Sequence, residues 1–205
     1  MFIDELTGDT VRPVPPRQRP PEHGPDRRAG PDAAEPGGSA GPDAAEPGGL
    51  RPDEFRRALA RCASGVVVVT AAAGPTGMTA SSFTSVSQSP PLVSFCVDRA
   101  AGSRSTLCAA GHFAVNVLAD TQAETAALFA RRDVDRFALS RWRRGRHGLP
   151  LLDGAAAHLV CHRHRIVPLG DHFLVVGLLV AAEHHRPGAP LLHHQGRYGR
   201  FTPEQ

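Results

Sequence analysis

The sequence contains no lysine, so arginine fills all 23 of its Lys and Arg positions. It has only four cysteines, and Cys62, Cys96, Cys108 and Cys161 show no C-x-x-C spacing. No basic segment followed by a short apolar run opens the chain, and no apolar stretch approaches the roughly 18 to 20 residues of a membrane span. These absences predict reduced thiols in a cytoplasmic protein that does not enter membranes.

Residues 1–50 have little apolar periodicity, yet they hold ten of the 19 prolines and eight of the 21 glycines. The segment GPDAAEPGG occurs twice, beginning at Gly30 and at Gly41. Two copies without an apolar face cannot form a solenoid, and they bury too little surface to offset the entropy of ordering. We therefore predict a disordered tail over residues 1–50 and a single domain over residues 51–205.

Charge is distributed unequally between these two parts. The tail has five arginines and nine acidic residues, a net charge of −4, whereas the domain has 18 arginines and 11 acidic residues, a net charge of +7. The basic residues cluster only in RWRRGRHG, residues 141–148. We interpret this segment as a solvated loop, and we predict no nucleic-acid binding.

Runs of β-branched and apolar residues, separated by Gly and Pro turns, predict strands that follow one another along the chain. They cover residues 65–72, 78–87, 92–97, 112–119, 155–169, 172–182 and 190–201. Short links between successive strands are typical of antiparallel pairing. The sequence therefore predicts a mainly β fold, an antiparallel barrel with small peripheral helices.

The segment PDEFRRALARCASG predicts a first helix over residues 52–65. Phe55, Leu59 and Cys62 fall on one face of this helix, and Asp53 is placed to cap its start. Gly65 is a suitable residue for the end of the helix.

Two further helices are predicted between the strands. The segment STLCAAG, residues 105–111, is compatible with a short helix at most. In TQAETAALFARR, Thr121 and Glu124 have the spacing of a capping box. The helix that follows would direct Leu128 and Phe129 inward.

The segment GMTASSFTSVSQSPP, residues 77–91, has seven Ser or Thr residues and no charge. Such a segment can approach a ligand closely and offer amide and hydroxyl donors to a flat heteroaromatic group or to a phosphate. A Ser/Thr-rich edge strand without a ligand has the same composition. The residues alone leave both interpretations open.

Residues 53–201 resemble the flavin reductase-like proteins, the small reductase components of two-component flavin monooxygenases. The segments that carry the resemblance occur in the family's order: GVVVVTAA, GMTASSFTSVSQSPPLVSFCVD, FAVNVLA, LFARR, HGLPLLDGAAAHLVC, GDHFLVVGLLVA and PLLHHQGRYGRF. The resemblance implies an FMN-binding split β-barrel, a homodimer that holds flavin near the subunit interface.

The resemblance also implies which residues contact the flavin. These are Met78, Thr79, Ala80, Ser81 and Ser82 along the ring and ribityl chain, the backbone of Phe95, Cys96 and Val97 at the isoalloxazine, Ser103, Ser105 and Thr106 at the phosphate, and Phe129 and Arg131 at a helix end. Arg99 and Arg104 are either charge partners of that phosphate or solvated surface arginines.

His172 and Tyr198 lie at the positions where the family docks nicotinamide. The resemblance implies an NAD(P)H-dependent flavin reductase that passes hydride from NADH or NADPH to FMN or FAD and supplies a partner monooxygenase. The alternative is a flavoprotein of the same barrel with tightly bound FMN, acting as an oxidase, an oxygenase or a flavin carrier. A second interpretation of His172 is a turn histidine that pairs with Asp171.

Histidines elsewhere raise the possibility of a zinc site. His158, His162 and His164 lie on one predicted strand, and His184 and His193 lie further along the chain. No acid or cysteine completes this set at ligand spacing, so we predict no metal site. Among the remaining candidates, Cys96 is interpreted as a packed thiol and Trp142 as a core anchor in preference to a lid.

Overall fold

The computed structural model describes residues 49–132, 134–185 and 189–204. The predicted disordered tail lies outside these ranges except for its last two residues, and it stays a prediction. Within the described residues, no helix combines the length and apolar character needed to cross a membrane.

The described chain is mainly β, as the sequence predicts. Its strands are β1 Ser64–Gly65, β2 Val67–Ala71, β3 Thr76–Ala80, β4 Thr84–Gln88, β5 Pro91–Asp98, β6 His112–Val117, β7 Trp142–Arg144, β8 Pro150–Leu152, β9 Ala157–Leu169, β10 His172–His184, β11 Leu191–His194 and β12 Arg197–Arg200. Its α-helices are α1 Pro52–Leu59, α2 Arg104–Ala109 and α3 Ala123–Ala130, and single 3₁₀ turns form at Asp120–Gln122 and Arg146–Gly148.

Seven strands form one antiparallel sheet in the order β3-β2-β6-β9-β10-β5-β4. Its longest hairpin joins β9 to β10 through the predicted turn at Gly170 and Asp171. The ladder between these two strands shifts register after Val176 and after Leu179. Gly177, at the first shift, must lack a side chain, because a Cβ there would lie 2.4 Å from Cζ of Phe113.

The C-terminal segment differs from the prediction of one closing strand. It folds back on itself as a hairpin of β11 and β12, which joins β1 in a separate three-stranded sheet. Gln195 and Gly196 turn the chain with positive φ angles of 51° and 75°. The glycine adopts this region readily, and the pair therefore ends β11 where the sequence shows only a continuous polar run.

The predicted basic loop also contains regular structure. Trp142–Arg144 pairs with Pro150–Leu152 as a two-stranded ribbon. Trp142 is half-buried against the ring of Phe137, with centroids 5.5 Å apart, and its indole N–H donates to the Phe137 carbonyl. It packs at the edge of the core cluster that contains Phe129.

A buried amide ties the main sheet to this ribbon. Asn116 in β6 has no exposed surface, and its Nδ2 donates to the Val68 carbonyl at 2.9 Å. Its Oδ1 accepts from the Leu152 amide at 2.8 Å. Thr70 adds a second link by donating to the Pro150 carbonyl at 2.6 Å. The bonds to the Leu152 amide and the Pro150 carbonyl satisfy backbone groups that burial would otherwise leave unpaired.

The first helix is shorter than predicted, and its apolar face is uncovered. It ends at Leu59, begins after Arg51 instead of Asp53, and buries none of its residues. Phe55 and Leu59 remain 54% and 53% exposed. The apolar periodicity is real, but the described chain presents nothing for this face to pack against.

The predicted capping box at Thr121 and Glu124 is wrong, because the chain enters a 3₁₀ turn there before α3 begins. Gln122 performs the capping: its Oε1 accepts from the Ala119 amide at 3.1 Å, and its Nε2 donates to the Asp153 carbonyl at 2.9 Å. The expected inward direction of the helix is confirmed, since Phe129 is buried and Leu128 is partly buried.

Candidate functional site

The hydroxyl-rich segment forms β3, a short loop and β4, at the two ends of the seven-stranded sheet. Met78 in β3 is half-buried in the core, and Ala80 is buried. Ser81 and Ser82 follow β3 and are exposed. The segment therefore crosses from one edge strand to the other, and its serine hydroxyls lie at the surface.

Two hydroxyls of the segment form hydrogen bonds with other secondary-structure elements. Thr79 Oγ1 donates to the Ala126 carbonyl in α3 at 2.6 Å. Ser82 Oγ accepts from the Cys96 amide in β5 at 2.9 Å. The first bond fixes β3 against α3, and the second holds the loop beside β5. Part of the hydroxyl content thus shapes the loop, and Ser81 remains exposed next to it.

The segment Phe95–Val97 can offer a ligand mainly its backbone. The side chains of Phe95 and Val97 are fully buried, and that of Cys96 is half-buried. The ladder between β4 and β5 ends at the Thr84–Ser94 pair, so β4 no longer covers this edge beyond Ser94.

The polar turn after β5 carries hydroxyls and arginines together. Ser103, Ser105 and Thr106 lie at the start of α2. The guanidinium carbons of Arg99 and Arg104 lie 5.1 and 5.8 Å from the centre of the Phe173 ring. This stacking holds two positive charges beside the turn.

The end of α3 packs beneath β3. Phe129 is buried against Phe137, with ring centroids 5.2 Å apart and nearly perpendicular planes. A Cβ on Gly77 would lie 2.8 Å from the Phe129 ring, so this glycine lets β3 approach the helix closely. Arg131 follows α3 with an exposed side chain, and its carbonyl accepts from the guanidinium of Arg136.

His172 opens β10 directly after the turn. Its Nδ1 lies 2.7 Å from Oδ1 of Asp171, and since a carboxylate only accepts, Nδ1 carries the proton. This bond lowers the pKa of the Asp171 carboxyl. The turn is also fixed from β5, because the Arg99 amide donates to the Asp171 carbonyl at 3.0 Å. In the neutral ring, Nε2 is then an acceptor for a ligand donor.

Tyr198 in β12 lies beside the hydroxyl-rich segment. A cleft of about 130 Å³ is lined by Val66, Thr79, Ser81, Ala130, His193 and Tyr198. Burial raises the pKa of the Tyr198 phenol, and its ring lies 5.7 Å from that of His193. The cleft thus unites a predicted nicotinamide residue with two predicted flavin residues.

The two predicted nicotinamide residues occupy different places in the described chain. His172 pairs with Asp98 at the far end of β5, whereas Tyr198 lies beside Ser81. The cleft that Tyr198 and Ser81 line does not include His172. Phe173 lies at the first place and His193 at the second. The sequence predicted neither as a contact of flavin or nicotinamide, and His193 was considered only for a zinc site, because only long-range pairing brings them there.

Comparison with known proteins places this geometry in a family. Residues 59–202 match the flavin reductase like domain. A protein named probable flavin reductase from Rhizobium meliloti is 43% identical over 155 residues, which are 74% of this chain and 49% of the relative. The chain therefore spans about half the length of that relative.

Two further relatives are covered over most of their length. The reductase subunit of a flavin-dependent monooxygenase from Rhodococcus jostii is 34% identical, over 76% of this chain and 81% of its own. The solved NADH:FAD oxidoreductase of Streptomyces globisporus, in complex with NAD and FAD fragments, is 42% identical with a TM-score of 0.71, over 74% of this chain and 93% of its own. The resemblance and the barrel fold predicted from the sequence are thereby confirmed, and the chain belongs to the flavin reductase like family.

Proposed function

We propose that this protein is an NAD(P)H-dependent flavin reductase that supplies reduced flavin to a partner monooxygenase. The bound flavin, FMN or FAD, would supply the redox chemistry by accepting at N5 the hydride that leaves C4 of the nicotinamide. The observation that carries the proposal is the uncharged Thr79–Ser82 segment, held beside the exposed edge of β5 and facing Tyr198. The relatives named as NADH:FAD oxidoreductase and as a monooxygenase reductase subunit support it.

The residues fit a flavin at both of its ends. Ser81, Ser82 and the backbone around Cys96 supply uncharged hydrogen-bonding groups for the ring edge. Ser103, Ser105 and Thr106, with the guanidinium groups of Arg99 and Arg104, would hold the phosphate that FMN and FAD share. Positive charge therefore lies at the phosphate end and not along the ring.

His172 would position the nicotinamide without exchanging protons with it. With Nδ1 donating to Asp171, Nε2 can accept from the carboxamide N–H or a ribose hydroxyl. The matched variant is Asp171→Asn, which keeps the size of the residue but not the carboxylate. His172→Ala should raise the KM for the nicotinamide more than it lowers kcat, and Asp171→Asn should do so less strongly. Unchanged kinetics in His172→Ala would remove this role.

The protein would act as a homodimer with each flavin near the subunit interface. The clefts at Thr79–Ser81 and at Ser103 hold only about 130 and 170 Å³, less than the roughly 300–1,000 Å³ of typical ligand sites. Phe55, Leu59 and Phe201 are more than half exposed, as residues covered by a second subunit would be. Light scattering during size exclusion should give a mass of two chains.

The experiment that tests the function follows NADH or NADPH absorbance with catalytic protein and excess free FMN or FAD. Oxidation that scales with added flavin supports the reductase and identifies both preferred cofactors. A yellow protein that retains stoichiometric flavin through dialysis and oxidises no nicotinamide would instead favour the flavoprotein with a tightly bound cofactor.

The protein would act in the cytoplasm, since its four free thiols are those expected of a cytoplasmic enzyme.

A further inference from the structure

Three potential metal ligands meet at the end of the β9–β10 hairpin, opposite its Gly170–Asp171 turn. His158 in β9 and Glu183 in β10 face each other as a cross-strand pair. His185 follows β10, and its amide donates to the Ala156 carbonyl at 3.0 Å, which holds it beside the pair. One ligand atom from each of the three side chains lies within 4.8 Å of the others.

No spacing in the sequence reveals this set, because the carboxylate and one imidazole come from a different strand than His158. The histidines that share β9 with it, His162 and His164, are exposed farther along the strand. Strand pairing therefore supplies the acid whose absence argued against a metal site.

The buried ligand is already oriented. His158 is only 4% exposed, and its Nε2 lies 2.9 Å from the Leu152 carbonyl. A carbonyl can only accept, so Nε2 carries the proton and the lone pair is on Nδ1. Nδ1 lies 2.8 Å from Nε2 of His185 and 3.9 Å from Oε2 of Glu183. An imidazole held through its second nitrogen by a backbone carbonyl is the usual outer contact of a metal-binding histidine.

We propose that His158 Nδ1, the Glu183 carboxylate and His185 Nε2 bind a first-row divalent cation of intermediate softness such as Zn²⁺, with water at a fourth position. Two imidazoles and one carboxylate suit Zn²⁺, Co²⁺ or Ni²⁺, whereas Ca²⁺ and Mg²⁺ prefer oxygen ligands. Burial lowers the pKa of His158, which keeps its ring neutral and able to bind a metal at neutral pH.

The geometry requires only a small adjustment. Zn–N bonds of about 2.0–2.1 Å place two tetrahedral nitrogens roughly 3.3–3.4 Å apart. The 2.8 Å contact between His158 and His185 must therefore open by about half an ångström. His185 is exposed and can move by rotating its side chain, whereas His158 stays fixed by Leu152.

Arg143 competes with the metal for the carboxylate. Its Nη2 lies 2.6 Å from Oε2 of Glu183, and both side chains are about half exposed. Binding a cation must displace this guanidinium or share the carboxylate with it, and the positive charge nearby opposes a dication. Removing the charge of Arg143 should therefore tighten metal binding.

The test is calorimetric titration of the untagged full-length protein with Zn²⁺ after treatment with EDTA. We expect one ion per chain and a rise in Tm on binding. Glu183→Gln and His185→Gln should each weaken binding by more than the roughly 10- to 100-fold that losing an outer contact alone costs in many metal sites. Both positions are exposed, so neither variant should disturb folding.

The matched controls are His194→Gln, an exposed histidine of β11, and Arg143→Gln. The first should leave Zn²⁺ affinity unchanged, and the second should raise it. The tetrahedral visible absorption of Co²⁺ should appear in the wild type and be lost in His185→Gln. Equal affinity in wild type and His185→Gln, or an equal loss in His194→Gln, would overturn the proposal by assigning the binding to scattered surface histidines.

Discussion

Replacing Ser82 by alanine tests whether the hydroxyl-rich loop must be held against β5 for flavin to bind. The substitution removes the single bond from the Cys96 amide to Ser82 Oγ, 2.9 Å long, and leaves the core untouched. A neutral hydrogen bond contributes about 0.5–1.5 kcal/mol net. If binding needs the bonded loop, this free energy is lost from flavin affinity, and Kd rises roughly 2- to 13-fold.

The assay is titration of flavin fluorescence with wild-type protein and with two variants of the same segment. Ser85→Ala is the matched control, because Ser85 is exposed in β4 and its hydroxyl makes no described hydrogen bond. We expect Ser82→Ala to weaken binding and Ser85→Ala to leave it unchanged. Equal Kd values for Ser82→Ala and wild type would refute the reasoning. Equal weakening by both variants would show that flavin affinity depends on the number of hydroxyls in the segment and not on the bond between Ser82 and Cys96.

Three further predictions concern stability. Asn116→Ala leaves the buried Leu152 amide unpaired and removes a second bond to the Val68 carbonyl, so the free energy of unfolding in urea should fall by about 1–3 kcal/mol at fixed protein concentration. Gly177→Ala places a Cβ 2.4 Å from the Phe113 ring and should lower Tm by several degrees, whereas Gly111→Ala, with open space around it, should not. Burial lowers the pKa of His158 in the folded state below its ordinary value of 6.5, so the unfolded state takes up a proton at a higher pH than the folded state does. In the presence of EDTA, the free energy of unfolding should therefore fall as the pH drops from 7 through 6.5. His158→Gln should reduce this dependence on pH.

Local patterns predict the strands well because β-branched runs and Gly or Pro turns act within a few residues. The fully buried β2 and the turn before His172 are examples. The apolar face of α1 was predicted equally well as a pattern, but no described part of the chain covers it. The homodimer, whose second subunit could cover this face, stays a proposal.

Features created by long-range pairing could not be predicted from local sequence patterns. The cap of the 3₁₀ turn before α3 comes from Gln122, which also reaches Asp153, 31 positions away, and so it was hidden by a better-matching Thr-x-x-Glu pattern. The C-terminal hairpin turns at a non-glycine residue with positive φ, Gln195, which composition does not predict. The cleft at Tyr198 exists only because that hairpin folds back on Ser81.

The placement of charge connects the fold to the proposed chemistry. An exchanging reductase must bind oxidised flavin and release it reduced, so contacts to the ring should favour neither state strongly. Uncharged groups such as Ser81 and the Cys96 region meet this need, because a fixed charge near N1 or N5 would bias the flavin's electronics. Arg99 and Arg104 are held on Phe173 beside the turn proposed to hold the flavin's phosphate, whose charge would be the same in both redox states. Affinity can therefore come from the phosphate end, which leaves the ring end free to exchange electrons without changing how tightly the flavin is held.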